Sequence, residues 1–233
     1  MPDAVAALEL REVEKQYGAL RPLRVRSLRI QPRTRATLIG LDLPAAETFV
    51  NLITGAVLPE KGEVITLGRP TSSIVDAGVW LKFVEQFGFV SDRIALLDAM
   101  TAGQNLAIPY SLEIDPIPQD IQIRVNTLAA EVGIAPVDIA VRVGEGSPTL
   151  RARIRLARAL ALDPVVVVLE HPTAVLPPEE VKPYAGMLAQ ICEKRGFTMV
   201  ALSMDEKFGR ALGGRLLTWQ PATGEFKERR RWW

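Results

Sequence analysis

The sequence has a single cysteine, Cys192, so no internal disulfide can form and stability has to come from the core. One free thiol fits a reducing compartment, and Cys192 is expected to be a small buried residue on a helix. Charge of one sign is also missing. The net charge is +1, which gives no electrostatic case for a nucleic-acid partner. No stretch reaches the ~20 apolar residues a membrane span needs; the longest runs, such as VVVVL at 165–169, are strand-sized. The start, MPDAVAALEL, has Asp3 where a secretory leader carries basic charge, so no signal peptide is expected. The expected setting is therefore cytoplasmic, soluble or held at the inner face of the cell membrane by a partner. Aromatics make up only 6% of the chain against 48% hydrophobic residues, so the core must be aliphatic. The 233 residues suffice for one α/β domain over 1–233.

Strands are legible where apolar residues alternate or run together. Residues 8–13 and 24–30 alternate, as half-buried strands do. Residues 36–39, 63–67, 87–90, 198–203 and 215–219 complete the set, with 165–169 as an unbroken β-branched run fit for a central parallel strand. Helices are expected at 45–53, 120–132, 149–162 and 178–195, the second ending at Gly133 and the last at Gly196. Strand–helix alternation implies a mostly parallel sheet covered by helices, here preceded by β-rich sequence and interrupted by a helical middle.

Four segments carry a family resemblance along nearly the whole chain. They are IGLDLPAAETFVNLITGAVLPEKGEV (39–64), FGFVSDRIALLDAMTAGQNLAIP (87–109), EGSPTLRARIRLARALALDPVVVVLEHPTAVL (145–176) and TMVALSMDE (198–206). In this order and spacing they resemble the ATPase domain of ATP-binding cassette (ABC) transporters. The resemblance implies a P-loop NTPase-like fold, a mostly parallel sheet with an antiparallel β subdomain, and a helical subdomain at roughly 92–160. It also implies ATP and Mg²⁺ as cofactors, a transmembrane permease subunit as partner, and a homo- or heterodimer with another such subunit.

The motif positions hold unusual residues. A Walker A loop reads G-x-x-x-x-G-K-[ST], with backbone N–H groups and a lysine around phosphate at a helix N-terminus. Gly40 fills the first glycine position, Ala45 the second, Ala46 the lysine position and Glu47 the Ser/Thr position, with Thr48 as the one hydroxyl nearby. Pro44 brings no N–H. Leu43 falls where the family has another glycine, and a left-handed leucine would cost roughly 1–2 kcal/mol. Glu47 would repel a phosphate by roughly 4 kcal/mol at ~4 Å and an effective dielectric near 20. Its alternatives are a first-turn carboxylate favoured by the helix dipole, or a partner of Glu170 in holding a cation. Where a Walker B strand ends in Asp and Glu, this chain has Glu170 and His171, its only histidine. The signature motif aligns with residues 146–150, of which Ser147 alone matches and Pro148 removes a donor; Ser147 reads as a helix N-cap. Asp92 stands at the Q-loop glutamine, Met204 at the switch histidine, Pro177 at the D-loop aspartate and Tyr17 where an aromatic ring stacks on adenine.

Phosphoryl transfer of this kind needs a lysine, a metal and a water-orienting group. With those positions substituted and the aliphatic scaffold intact, the expected function is a transporter cassette subunit with little or no ATP hydrolysis. Two alternatives stand beside it. One is an adaptor acting by protein contact alone. The other is an active ATPase with Glu170 and Thr48 on the metal, His171 as base, and Arg35 or Arg93 in place of the lysine. Arg151, Arg153, Arg155 and Arg158 read as a solvated helix face or an anion site. Ile94, Leu96, Leu97, Met100 and Leu106 read as a docking surface or as ordinary packing. The tail of arginines and tryptophans at 228–233 reads as a membrane-interface contact or a disordered end.

Overall fold

The structure is a computed structural model and describes residues 5–228. The tail residues from 229 onward therefore lie outside the described residues. The chain opens with β1 (Leu8–Lys15), β2 (Leu23–Ile30) and β3 (Arg35–Ile39), then α1 (Leu43–Ile53). Next come β4 (Lys61–Thr66), β5 (Arg69–Pro70), α2 (Ala77–Val84) and β6 (Phe87–Val90). A strand-poor stretch carries α3 (Ala102–Ala107), α4 (Gln119–Glu131) and α5 (Pro148–Leu160). The last part is β7 (Val166–Glu170), α6 (Pro178–Arg195), β8 (Thr198–Ser203), α7 (Glu206–Leu212), β9 (Arg215–Gln220) and β10 (Glu225–Glu228).

Among the described residues the strands form one ten-stranded sheet in the order β5-β4-β1-β2-β10-β9-β3-β8-β7-β6. The run β9-β3-β8-β7-β6 is parallel. The hairpin side, where β1 pairs with β2 and β4, is antiparallel. β10 joins the halves, antiparallel to β9 and touching β2 through Glu225 and Ser27.

Two apolar clusters lie on the two faces of the parallel strands. Val166 and Val168 of β7 and Val200 and Leu202 of β8 point into a cluster with Phe49 of α1 and the antiparallel strands. Val167, Leu169, Met199 and Ala201 point the other way, against α5, α6 and the helical middle. The period-2 geometry of a strand makes this division, and it explains why β7 is apolar without alternation. Cys192 is buried in the second cluster, and burial pushes its thiol up to about 11.

Because the parallel strands all point one way, their C-terminal ends make a common rim. The segments after β3, β6, β7 and β8 leave from that rim, and they carry Gly40, Asp92, His171 and Met204. Arg35 is at the opposite end of β3, where its guanidinium donates to the Ala189 carbonyl at 3.1 Å. It is therefore placed away from the rim, and of the two cations proposed to replace the lysine only Arg93 lies there.

Candidate functional site

The turn after β3 is set by Gly40, whose φ of 101° is a left-handed value that favours glycine. Two residues later Asp42 caps α1: its Oδ1 accepts from the Ala45 N–H at 3.0 Å, and its carbonyl accepts from the Ala46 N–H at 2.8 Å. The helix thus begins at Leu43, with Pro44 in its first turn where a missing N–H costs nothing. This departs from the expectation at Leu43. The residue is helical and is not among the positive-φ residues, so the left-handed strain does not arise. The early start also moves Glu47 beyond the first turn, which holds no acidic residue. The anion at this N-terminus is Asp42, and Glu47 does not serve as the first-turn carboxylate. Ala45 and Ala46 are fully buried in the core cluster with Phe49. The Thr48 hydroxyl donates back to the Pro44 carbonyl at 2.8 Å.

Glu47 and Glu170 do share a cation, and it is a side chain. Arg93 donates from Nη1 to Glu47 Oε1 at 2.8 Å and from Nε to Glu170 Oε2 at 3.0 Å, while its Nη2 meets the other oxygen of Glu170. Glu170 ends β7 with a side chain only 7% exposed, whereas Arg93 and Glu47 are about half exposed, at 44% and 49%. A planar guanidinium matches a carboxylate edge-on, so this fork is a strong form of ion pair. The Glu170 hydrogen bond, more than the charge of Glu47, holds the Arg93 guanidinium above its ordinary value. The Ser91 hydroxyl completes the group, 3.3 Å from Glu170 Oε2.

The loop carrying Arg93 is tied to α5 as well. Arg155 meets Asp92 at 3.0 Å, Arg151 meets Asp98 at 2.9 Å, and Arg158 donates to the Ala95 carbonyl at 2.9 Å. Arg153 turns away to the Gly133 carbonyl. These arginines form neither a free solvated face nor an open anion site; three of them fasten one loop. The apolar pattern of that loop divides: Leu96 and Leu106 are core, while Leu97 is exposed.

The other motif positions fall as follows. His171 has φ 44°, donates its N–H to the Leu202 carbonyl at 2.8 Å, and has a buried Nε2 with no hydrogen-bond partner among the described residues. It adjoins a cavity of about 10 Å³ shared with Ser91, Asp92, Arg155 and Glu170, which has room for at most one water. Ser147 caps α5 through the Leu150 N–H at 3.1 Å. Met204 is 61% exposed beside Asp205, the N-cap of α7, in an open depression with Thr173 and Val181. Tyr17 is half-buried. Burial, and next the charge of Asp42, raises its hydroxyl above the ordinary phenol value. Among the described residues no group of three or more His, Cys, Asp or Glu is placed to hold a metal ion, and no helix is long and apolar enough to cross a membrane.

Comparison with solved structures decides the fold. The dimeric MJ0796 bacterial ABC transporter cassette superposes with a TM-score of 0.76 at 21% identity, over 95% of this chain and 97% of that one. CbiO1 from Clostridium perfringens, part of the ABC transporter complex cbiONQ, superposes with a TM-score of 0.77 at 18% identity, over 95% and 87%. The fold is that of an ABC ATPase cassette. No protein-family profile matches the chain. Its similar curated relatives are nonetheless ABC transporter ATP-binding proteins. The ABC transporter ATP-binding protein YtrE of Bacillus subtilis is 26% identical over 78% of this chain and 78% of its own length. The methionine import ATP-binding protein MetN of Brucella abortus is 26% identical over 93% of this chain and 58% of its own length. The ribose import ATP-binding protein RbsA 3 of Rhizobium etli is 27% identical over 77% and 35%. The chain thus spans only part of the longer relatives.

Two residues that organise the cassette rim escape a motif reading. Asp42 falls at an unspecified position of the loop pattern; its signal was an Asp two residues before a Pro, the mark of a helix start. Arg93 was visible only as a cation near the Q-loop position, because its partners lie 46 and 77 residues away.

Proposed function

We propose that this chain is the cassette subunit of an ABC-type transporter, docked on a transmembrane permease subunit, with a nucleotide site that neither binds nor hydrolyses ATP appreciably. It would work at the inner face of the membrane, paired with a second cassette subunit. The observation that carries the reading is the Asp42 cap. A phosphate at this helix start would need the Ala45 N–H that a carboxylate already accepts, and two anions ~4 Å apart repel by roughly 4 kcal/mol at an effective dielectric near 20. Position 46 offers a buried methyl group and no ammonium. The donor set does not fit a magnesium ion either, since the two glutamates that face each other there, Glu47 and Glu170, are both paired with Arg93.

Calorimetric titration of the purified protein with ATP and Mg²⁺, beside a thermal melt, tests this. Heat and midpoint are expected to stay flat at millimolar nucleotide. A ligand at a hundredfold excess over its Kd would add about 2.7 kcal/mol of stability, so a clear upward shift would overturn the reading. Magnesium-dependent turnover abolished by His171→Ala would establish the active-ATPase alternative instead. Affinity capture from detergent-solubilised membranes is expected to retain a permease. Soluble partners alone would point to the adaptor.

A further inference from the structure

The pairing of Glu47 and Glu170 on one guanidinium raises a question that the silent nucleotide site leaves open. Two carboxylates from different elements have converged on the rim of the sheet, with the Ser91 hydroxyl beside Glu170. One carboxylate is almost fully buried, and a buried carboxylate without a counter-charge is costly. Some cation must sit between them, and Arg93 does so with three of its nitrogens.

We infer that Arg93 is the resident cation of this rim: its guanidinium takes the place between Glu47 and Glu170 that a divalent ion could occupy, and so closes the site to metal while fastening the loop after β6 to α1 and β7. The inference rests on the reading of a silent site and deepens it. The site is filled by the chain's own charge, and the tie between the loop and the sheet is permanent instead of following a ligand. Geometry supports this beyond charge counting. Nε and Nη2 serve the two oxygens of Glu170 while Nη1 reaches Glu47, so neither carboxylate is left without a cation. The loop carrying Arg93 is held on its other side by Arg151, Arg155 and Arg158 of α5, which leaves the guanidinium little freedom to swing out. Hard divalent ions accept one or two carboxylates plus hydroxyl and water oxygens, which is the set that removal of the guanidinium would expose.

The test is thermal denaturation of the whole chain with and without Mn²⁺. The wild type is expected to show no saturable response. Arg93→Met is expected to melt lower and to recover as Mn²⁺ is added, by about 3–6 °C at a roughly tenfold excess over Kd. Adding Glu47→Gln is expected to abolish the recovery. If Arg93→Met does not fold, Arg93→Lys replaces it, because an ammonium cannot serve both carboxylates as a fork does; a weaker Mn²⁺ response, again abolished by Glu47→Gln, is expected there. A saturable Mn²⁺ response of the wild type would overturn the inference, as would Arg93 variants whose midpoints ignore the metal. Nucleotide binding by the wild type in the absence of either result would instead sink the silent-site reading alone.

Discussion

Asp42 is a one-residue decision with consequences for the whole rim. Its carboxylate caps α1, moves the helix start forward to Leu43 and places a negative charge where the helix dipole favours an anion. Asp42→Ala is expected to cost about 1 kcal/mol, the usual value of an N-cap, while Asp42→Asn keeps most of it; urea denaturation of the three proteins checks the order. At this scale the sequence was legible where a residue acts on its own backbone. Gly40 reads as a turn and Ser147 as a cap, and both have those geometries. It was opaque where a side chain's partner is remote. Nothing local marks Arg93 as the bridge between Glu47 and Glu170. The arginines of α5 also read as a bare helix face because their acidic and carbonyl partners come from a loop and a different helix end.

Between elements, the clearest polar joint is between α4 and α6. Arg195, in the last turn of α6, pairs with Glu131 at the end of α4 and also holds the Leu160 carbonyl at 2.8 Å and Asp163 at 3.0 Å. The Arg195 hydrogen bond holds the Glu131 carboxyl below its ordinary value of 4.5. A depressed carboxylate contributes stability that is fully present above that ordinary value and is lost as the pH falls through the lower, folded one. The melting difference between wild type and Glu131→Gln is therefore expected to be constant near neutrality and to shrink as the pH falls below the ordinary value of 4.5 and on through the depressed one. Elements with clear boundary signals were readable to the residue, α6 between its prolines and Gly196 and β8 around an unbroken apolar run. The helices α2, α3 and α7 were not: they have eight, six and seven residues, too few turns for a 3.6-residue pattern to repeat. α3 is instead specified by the Thr101–Gln104 capping box.

Across the whole molecule, composition gave an aliphatic α/β core, and the β-branched run at β7 gave its centre. What it could not give was the closing strand. β10 is a four-residue strand with mixed burial between β9 and β2, and its single ladder pair with β2 joins two parts of the sheet that are far apart in sequence. The ladder of Arg151, Arg155 and Arg158 has a consequence at this scale. These residues lie at i, i+4 and i+7, on one face of α5, and the acids they hold, Asp98 and Asp92, are more than half exposed. Pairs so placed are weakened by counter-ions, whose screening length falls to about 3 Å in molar salt, whereas the apolar cores are not. Ionic strength should thus act as a selective solvent for one loop. Chymotrypsin cleavage after the exposed Leu97 is expected to quicken as sodium chloride rises toward molar concentration, while tryptophan fluorescence reports an unchanged fold. If cleavage keeps one rate throughout, the loop is held by its buried Leu96 and by the Arg93 fork on Glu170, and not by the α5 pairs.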